Sequence, residues 1–319
     1  MNSLPDRAVP ILDPRKFRDP DLTAKGERRA RVALVALDSL WFNTGTLCNL
    51  TCANCYIDSS PTNDRLEYLR AAEARGYLDE IERDRLGTRL VGFTGGEPFM
   101  NPDLPEMLDD VLGRGLEALV LTNAMRPMMK VAARLLALRA EHGARLTIRV
   151  SVDHYGPLWH ERERGKRTWK PTIDGLKWLA SSGFAIHVAG RMLSGESEAA
   201  LREGYARLFT REGIPIDAND PVALMLFPEM DARIDVPEIT EACWGILRKS
   251  PDSMMCASSR MVVKRKGAVG PTVVACTLLP DDPQFELGAT LAEARRAVAL
   301  NHPHCAKFCV LGGAACSRG

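Results

Sequence analysis

The chain has 319 residues, of which 45% are hydrophobic and 26% are charged, as in an ordinary globular protein. Its 42 basic and 41 acidic residues nearly cancel, so net charge gives no argument for a nucleic-acid partner. No apolar run reaches about 18 residues, and the polar start of the chain, Met1 to Arg31, lacks the apolar core of a signal peptide. We therefore expect a cytoplasmic protein that makes no contact with a membrane.

Apolar strands alternate with amphipathic helices over the first two thirds of the chain. The predicted strands are 40–46, 89–94, 118–122, 146–152, 184–189 and 222–227. Apolar residues at helical spacing predict intervening helices that begin near 64, 104, 128, 172 and 201. Each helix returns the chain for the next strand, so the pattern predicts an α/β fold with a parallel sheet. Six such units rather than eight indicate an incomplete (β/α)6 barrel of the TIM type.

The predicted barrel occupies only the middle of the chain. Residues 1–35 are expected to form an N-terminal extension, packed on the outside or loose, and residues 36–231 the barrel. Residues 232–319 are expected to form a small hairpin-plus-helix domain. Its hairpin is predicted from Ser259–Lys266 and Thr272–Thr277, and its helix near Thr290–Leu300.

Unusual polar residues follow the predicted strands and not the predicted helices. They are the loop after the first strand, Thr94 to Pro98, Thr122 and Asn123, Ser151 to Asp153, Arg191, and Glu229 with Asp231. The carboxyl ends of parallel strands lie at one rim of a barrel, where functional residues gather. The sequence therefore predicts a functional site at that rim.

Cysteine residues fall into two groups. The first is Cys48, Cys52 and Cys55, with C-x3-C-x2-C spacing; the second is Cys243, Cys256, Cys276, Cys305, Cys309 and Cys316. Disulfides are not expected in a reducing compartment, and a structural zinc ion would require a fourth ligand near the first group. Three thiolates suit a cubane iron–sulfur cluster that leaves one iron open.

The C-x3-C-x2-C loop after the first strand and Gly95-Gly96-Glu97-Pro98 after the second resemble the radical S-adenosylmethionine (SAM) enzymes. The resemblance covers about residues 40–230. It implies a [4Fe-4S] cluster on Cys48, Cys52 and Cys55, with SAM on the open iron. It further implies reductive cleavage of SAM to a 5′-deoxyadenosyl radical, which abstracts a substrate hydrogen, and a flavodoxin- or ferredoxin-like electron donor.

The resemblance also implies a set of SAM-binding residues. They are Tyr56, Gly95, Gly96, Glu97, Asn123, Ser151 and Arg191. The glycine carbonyls and Glu97 suit the methionine ammonium, Ser151 suits the ribose, and the Arg191 guanidinium matches the methionine carboxylate. Structural alternatives remain open: a plain turn ended by Pro98, satisfied polar groups at strand ends, and a surface salt bridge of Arg191. Asn54 stands where the family often has an aromatic residue, so the contacts to adenine are expected to differ.

The second cysteine group resembles the auxiliary-cluster domains of this family, called SPASM with two clusters and Twitch with one. It has too few cysteines for two fully ligated cubanes. The resemblance therefore implies one auxiliary [4Fe-4S] cluster, on four of Cys256, Cys276, Cys305, Cys309 and Cys316. A structural zinc ion on four of these thiolates is the alternative.

The sequence assigns no catalytic residue. The candidates are Tyr155, Glu229, Asp231 and Cys243, each with a structural role, such as a buried apolar thiol for Cys243, as the alternative. The charged run from Glu161 to Arg167 is expected to be a solvated face.

The expected function is oxidation or bond formation on a small molecule, since this chain contains no segment that resembles a leader-peptide-binding domain. A peptide- or protein-modifying maturase, acting on a short peptide or protein, is the first alternative. A non-catalytic iron–sulfur redox carrier is the second. The intact three-cysteine loop and the Gly-Gly-Glu-Pro stretch argue against the carrier.

Overall fold

A computed structural model describes residues 10–229 and 231–312 of the chain. The strands are β1 (Arg31–Val32), β2 (Ser39–Asn43), β3 (Leu90–Thr94), β4 (Glu117–Thr122), β5 (Leu146–Ser151), β6 (Ala185–Arg191), β7 (Leu224–Phe227), β8 (Ser259–Val263), β9 (Thr272–Val274), β10 (Glu286–Gly288) and β11 (Val298–Ala299). The α-helices are α1 (Ala71–Arg83), α2 (Leu104–Gly113), α3 (Arg126–Lys130), α4 (Ala132–His142), α5 (Pro157–Arg164), α6 (Trp169–Ser181), α7 (Glu198–Glu212) and α8 (Cys243–Leu247). Among the described residues, no helix is both long enough and apolar enough to cross a membrane.

Strands β2 to β7 form the predicted parallel sheet. They are hydrogen-bonded in chain order within a nine-stranded sheet, and every neighbouring pair among them is parallel. The prediction of an incomplete α/β barrel is therefore confirmed. All six carboxyl ends lie at one rim, which brings the loops after these strands together.

Successive side chains along each strand point to opposite faces of the sheet, so the barrel wall has an outer face and an inner face. Ile148 and Val150 of β5 belong to the apolar core beneath the helices, whereas Arg149 and Ser151 line the interior. Trp41 of β2 fills the interior opposite Gly92 of β3, where an added Cβ would lie 2.3 Å from the indole ring. The absence of a side chain at Gly92 therefore makes room for Trp41.

Several predicted helices differ from those in the structure. The helix expected from residue 64 begins at Ala71, and the helix expected after the third strand is two helices, α3 and α4, that meet at Val131. Helix α5 was not predicted. The helix expected near Thr290–Leu300 is wrong: a single 3₁₀ turn, Glu293–Arg295, precedes β11 there, and the helical segment is Cys305–Leu311.

The C-terminal strands are joined to the barrel instead of standing apart. Strand β8 pairs parallel to β2, and the predicted hairpin, β8 with β9, extends the same sheet. Residues near the N-terminus pack here as well, since β1 pairs with β11 and buried Arg29 lies 2.6 Å from Glu238. The division of the chain at residues 35 and 231 stays a prediction.

Candidate active site

A cavity of about 210 Å³ opens at the carboxyl rim of β2 to β7. Most of the residues predicted to bind the cluster and SAM line it, namely Cys48, Cys52, Cys55, Tyr56, Gly95, Gly96, Asn123, Ser151 and Arg191. They come from the ends of β2, β3, β4, β5 and β6, as the rim hypothesis requires. The cavity also contains residues that were not predicted, among them Trp41, Arg149, Arg164, Phe227 and Leu278.

The three-cysteine loop presents its sulfur atoms to backbone donors. The Leu50 N–H lies 3.4 Å from the Cys48 Sγ, and the Ser59 N–H lies 3.4 Å from the Cys55 Sγ. Burial raises the pKa of the Cys48 thiol to about 12, and burial likewise raises the pKa of Cys52, against the opposing charge of Arg164. A metal bound to Cys48 and Cys52 would hold them as thiolates, and its binding would release protons.

The sulfurs of the three-cysteine loop are not gathered as closely as a single zinc ion would hold them. A tetrahedral zinc ion with Zn–S bonds of about 2.3 Å holds its thiolates about 3.8 Å apart. Among the described residues, three possible ligand atoms lie within 4.8 Å of one another only at Asp109, Glu141 and His142. At least one pair of the Cys48, Cys52 and Cys55 sulfurs is therefore more than 4.8 Å apart.

The two positions after β3, Gly95 and Gly96, require glycine because their backbone lies close to the segment that leads into the three-cysteine loop. The N–H groups of Gly96 and Glu97 donate to the carbonyls of Gly45 (2.8 Å) and Leu47 (3.1 Å). A Cβ on Gly96 would lie 2.3 Å from the Leu47 oxygen, and Gly95 has a φ of +136°. The sequence assigned these glycines to close approach to a ligand; the structure adds that they pack directly on the backbone that leads into Cys48.

Glu97 is buried, and its carboxylate is engaged by the protein. Oε1 accepts hydrogen bonds from the Thr122 hydroxyl (2.8 Å) and the Phe99 N–H (3.2 Å), and Oε2 accepts one from the Asn123 N–H (2.9 Å). Burial raises the pKa of this carboxyl group, and the three donors oppose that rise. These contacts make Glu97 a brace between the ends of β3 and β4, and they occupy three of its roughly four acceptor sites.

Arg191 is held by two carboxylates. Its Nη1 lies 3.1 Å from Glu163 Oε2, and its Nη2 lies 3.4 Å from Glu229 Oε1. Glu163 also accepts a hydrogen bond of 2.9 Å from the Asn54 side chain, next to Cys55. The salt bridge considered as the alternative for Arg191 is present, but it is buried instead of lying on the surface.

The prediction that Glu161 to Arg167 is a solvated face is wrong for its central pair. Glu163 and Arg164, at the end of α5, are buried against the three-cysteine loop, and Arg164 lines the cavity. The Glu163 carbonyl also accepts a hydrogen bond of 2.7 Å from the Ala53 N–H. Charge alternation along the chain could not reveal this, because Glu163 meets the three-cysteine loop at Asn54, which is 109 residues away in the sequence.

The candidate catalytic residues lie in different parts of the structure. Glu229 forms a salt bridge with Arg191 at the rim, while Asp231 pairs with Arg233 on the surface. The Tyr155 hydroxyl donates to Glu196 (2.7 Å), which also contacts His154. The Cys243 sulfur lies 3.4 Å from the Thr240 hydroxyl in a C-terminal apolar cluster. Tyr155, Glu229, Asp231 and Cys243 are not among the described residues that line the cavity.

Four C-terminal cysteines, Cys256, Cys276, Cys305 and Cys309, pack against the main core, and all but Cys276 also border the C-terminal apolar cluster. The Leu278 N–H lies 3.3 Å from the Cys276 Sγ, and Thr277 and Leu278 line the cavity. Burial, followed by the neighbouring Cys276 and Cys256, raises the pKa of Cys305 well above its usual value. Cys316, the fifth predicted ligand, lies outside the described residues.

Curated relatives of this chain include peptide maturases. Mycofactocin maturase MftC of Mycobacterium tuberculosis is 29% identical over 166 residues, which are 52% of this chain and 40% of that protein. The Bacillus subtilis antilisterial bacteriocin subtilosin biosynthesis protein AlbA is 28% identical over 190 residues, 59% of this chain and 40% of that protein. The chain thus spans about 40% of the length of these curated relatives.

A solved structure of related fold is Streptococcus suis SuiB bound to the precursor peptide SuiA. It has a TM-score of 0.59 at 13% identity, over 81% of this chain and 63% of that chain, and this similarity shows the fold alone. The family model described as the radical SAM superfamily matches residues 42–205, which include the three-cysteine loop and the four barrel strands β3 to β6. With more than half of its length matched in this way, the chain belongs to the radical SAM superfamily, whose members are enzymes that use a [4Fe-4S] cluster and SAM.

Proposed function

We propose that this enzyme modifies a peptide, by oxidation or by formation of a new bond at a carbon that loses a hydrogen atom. The observation that carries the proposal is the shared cavity of Cys48, Cys52, Cys55 and the two glycines of the β3 loop. When bound, the reduced cluster supplies one electron to SAM, which yields methionine and a 5′-deoxyadenosyl radical that takes a hydrogen atom from the substrate.

The residues around the cavity are assigned to SAM as follows. The backbone of Gly95 and Gly96 receives the methionine ammonium, and Glu97 holds that backbone in place. Ser151 and Asn123 face the ribose, and Tyr56 faces the adenine. Arg164 joins Arg191 as a partner for the methionine carboxylate, because both guanidinium groups line the cavity and Arg164 influences the thiols of Cys52 and Cys48 electrostatically.

An auxiliary [4Fe-4S] cluster on four of Cys256, Cys276, Cys305, Cys309 and Cys316 is part of the proposal. The described members of this set do not form a trio with the close spacing that a zinc ion requires. Cys276 is joined to the cavity through Thr277 and Leu278, so a cluster there would lie next to the substrate. When bound there, the cluster would supply a one-electron acceptor for the substrate. The electron donor to the first cluster is a flavodoxin or ferredoxin.

The substrate class is proposed from the relatives. MftC and AlbA take part in peptide maturation and bacteriocin biosynthesis by their names, and the SuiB structure contains a precursor peptide. A small molecule, the substrate class expected from the sequence, is the second candidate.

Anaerobic incubation with SAM and a strong reductant tests the proposal. The unmodified protein should hold about eight irons and release 5′-deoxyadenosine. Replacing Cys48, Cys52 and Cys55 together with Ala should leave about four irons and abolish that release. The matched control, Cys276→Ala with Cys305→Ala, should also lose about four irons and yet still cleave SAM. Full cleavage by the triple variant would disprove the proposed cluster site.

Substrate class is decided by mass spectrometry. Peptides encoded by genes next to the gene for this enzyme are incubated with the reconstituted enzyme. Small metabolites of the pathway that those neighbouring genes encode are incubated with it separately. Loss of two hydrogens or an internal crosslink in a peptide supports the proposal. Conversion of a small metabolite alone, with every peptide unchanged, would replace it with the second candidate.

A further inference from the structure

The three-cysteine loop reaches the protein surface. Thr51, Ala53 and Asn54 are exposed and Cys52 is partly exposed, whereas Cys48 is buried. The loop therefore has an inner side, which lines the cavity assigned to SAM, and an outer side, which meets the solvent. With SAM in the cavity, the outer side is the way by which another protein can approach the first cluster.

Two helices flank the outer side of this loop. Just before α3, the Asn123 side chain donates a hydrogen bond of 2.9 Å to the side chain of Asn49 in the loop. Near the end of α5, the Glu163 carbonyl accepts a hydrogen bond of 2.7 Å from the Ala53 N–H. The Thr172 hydroxyl of α6 also donates to the Asn123 carbonyl (3.2 Å), so the two flanks are joined to each other. The start of α3 and the end of α5 are thus held beside the same loop.

The exposed positions of both flanks are basic. They are Arg126 and Lys130 on α3, Arg162 on α5, and Lys166 and Arg167 just after α5, and we call these five residues the basic surface. Among the described residues, no carboxylate forms a salt bridge with any of them. The whole chain is nearly neutral, with 42 basic and 41 acidic residues, so this excess of positive charge is local.

The acidic residues nearby are engaged by other groups. Glu163 is buried in its salt bridge, and Glu161 accepts a hydrogen bond of 3.2 Å from the Trp169 N–H. Asp58, which follows the three-cysteine loop, lies 3.8 Å from Arg65. The free charge around the outer side of the loop is therefore positive, and it favours an acidic partner.

Exposed apolar side chains accompany these cations. Leu158, one turn before Arg162 on α5, is 79% exposed, and Met129, next to Lys130 on α3, is 39% exposed. Apolar groups with charged groups around them are typical of a surface that binds another protein.

We infer that the basic surface docks an acidic protein that carries one electron. The inference rests on the proposed function and deepens it, because it locates the binding site of the electron donor. The carrier is oxidised by one electron and the first cluster is reduced by one electron, so the transfer needs no further reactant. The positive charges attract the carrier and orient it over the outer side of the three-cysteine loop, and the cavity stays open to SAM and substrate.

Binding of an acidic flavodoxin to the full-length protein, reconstituted with oxidised clusters, tests the inference by calorimetry. The Kd should rise at least tenfold in the double variant Lys130→Glu, Lys166→Glu. The control, Lys25→Glu with Arg28→Glu, changes the net charge equally at two exposed cations of the N-terminal segment and should raise the Kd about twofold or less. For the unmodified protein, the Kd should rise at least tenfold between about 0.05 M and about 0.5 M NaCl.

Cross-linking of the unmodified proteins locates the contact. A carbodiimide joins a lysine to a carboxylate without a spacer, and Lys130 and Lys166 should be the residues joined to the carrier. Cross-links confined to other lysines would overturn the inference, as would no binding, an equal loss in the control, or equally tight binding of polyglutamate.

The cross-linking result does not depend on whether the variants fold. Because no reductant is present in either experiment, SAM cleavage by the unmodified protein with dithionite reports on the proposed function separately.

Discussion

Arg164 and Asp153 form a buried ion pair beside Cys52: Nη2 donates a hydrogen bond of 3.0 Å to Oδ1, and Nε lies 2.8 Å from Oδ2. Asp153 lies two residues after the end of β5, and Arg164 ends α5. The pair therefore joins two separate elements at the point where both meet the three-cysteine loop. Its positive member is also among the charges that act on the thiols of Cys48 and Cys52.

The charges of this pair should shift the reduction potential of the first cluster in opposite directions. Arg164→Met removes a positive charge and should lower the potential, because the added electron is then less stabilised. Asp153→Asn removes a negative charge and should raise it. Each shift should be on the order of 50 mV, equivalent to about 1 kcal/mol for one electron. Redox titration by EPR, in a Cys276→Ala, Cys305→Ala background that leaves one cluster, measures both. Shifts of the same sign would contradict the charge argument.

Glu97 should support both SAM binding and stability, because its carboxylate braces the loop that contains Gly95 and Gly96. In Glu97→Gln, one oxygen becomes an amide donor that faces either the Asn123 N–H or the Phe99 N–H and the Thr122 hydroxyl. We expect the free energy of unfolding to fall by about 2 kcal/mol and the Kd for SAM to rise at least tenfold. Glu117→Gln, an exposed change at the start of β4, should alter neither by more than about 0.5 kcal/mol. Unchanged SAM affinity in Glu97→Gln would disprove the brace.

Gly92 and Gly76 should respond in opposite ways to alanine. A Cβ at Gly92 would lie 2.3 Å from the Trp41 ring, so Gly92→Ala should overpack the barrel and cost about 1–3 kcal/mol of unfolding free energy. Gly76 lies on the exposed face of α1 with no atom near its added Cβ, and Gly76→Ala should stabilise the protein by about 0.5–1 kcal/mol. Urea unfolding measures both; a stable Gly92→Ala protein would mean that Trp41 moves easily.

His160 should make the protein sensitive to mild acid. It is fully buried, neither ring nitrogen has a partner among the described residues, and its ring meets Trp169 edge-on at 5.4 Å. Burial, followed by the charge of Arg164, lowers the pKa of His160 to about 4. The folded-state pKa is below the unfolded value of about 6.5, so the stabilisation is fully present above pH 6.5 and is lost as the pH falls from there towards 4.

At pH 5.5 this difference should cost about 1.4 kcal/mol relative to pH 7.5. His160→Phe keeps an aromatic ring against Trp169 and removes the titration, so its loss of stability between the two pH values should be smaller by about that amount. Anaerobic urea unfolding of the two proteins at both pH values makes the comparison. An identical pH dependence would show that His160 titrates normally in the folded protein.

Local sequence was sufficient for the features that depend on spacing within one loop or one strand. The C-x3-C-x2-C loop, the two glycines after β3 and the six parallel strands could all be predicted, because alternation and turn composition are properties of neighbouring residues. The burial of Leu104, Met107, Leu108, Val111 and Leu112 along α2 likewise follows from helical periodicity. The same features were sufficient to predict membership of the radical SAM family.

Local sequence could not show which partners distant charges would find. Glu163 and Arg164 are part of an ordinary-looking charged run, yet the fold buries one against Asn54 and Arg191 and the other against Asp153. We expected Glu97 to contact SAM. In the structure its carboxylate accepts hydrogen bonds from three protein donors, on Phe99, Thr122 and Asn123, which lie at or after the ends of β3 and β4. The expected helix near Thr290–Leu300 fails for a related reason: β11 pairs with β1, a partner more than 260 residues away, and this pairing overrides the local pattern.

By itself, the sequence determined the chemistry at the rim: three thiolates, a glycine turn and a parallel sheet that sets them on one edge. The tertiary structure alone decided how that rim is supported and what lies beneath it. Trp41 and Arg149 both line the cavity, although their strands are three positions apart in the sheet. That they reach one cavity follows from the packing of the whole sheet, a relation between distant segments that no local pattern of residues records.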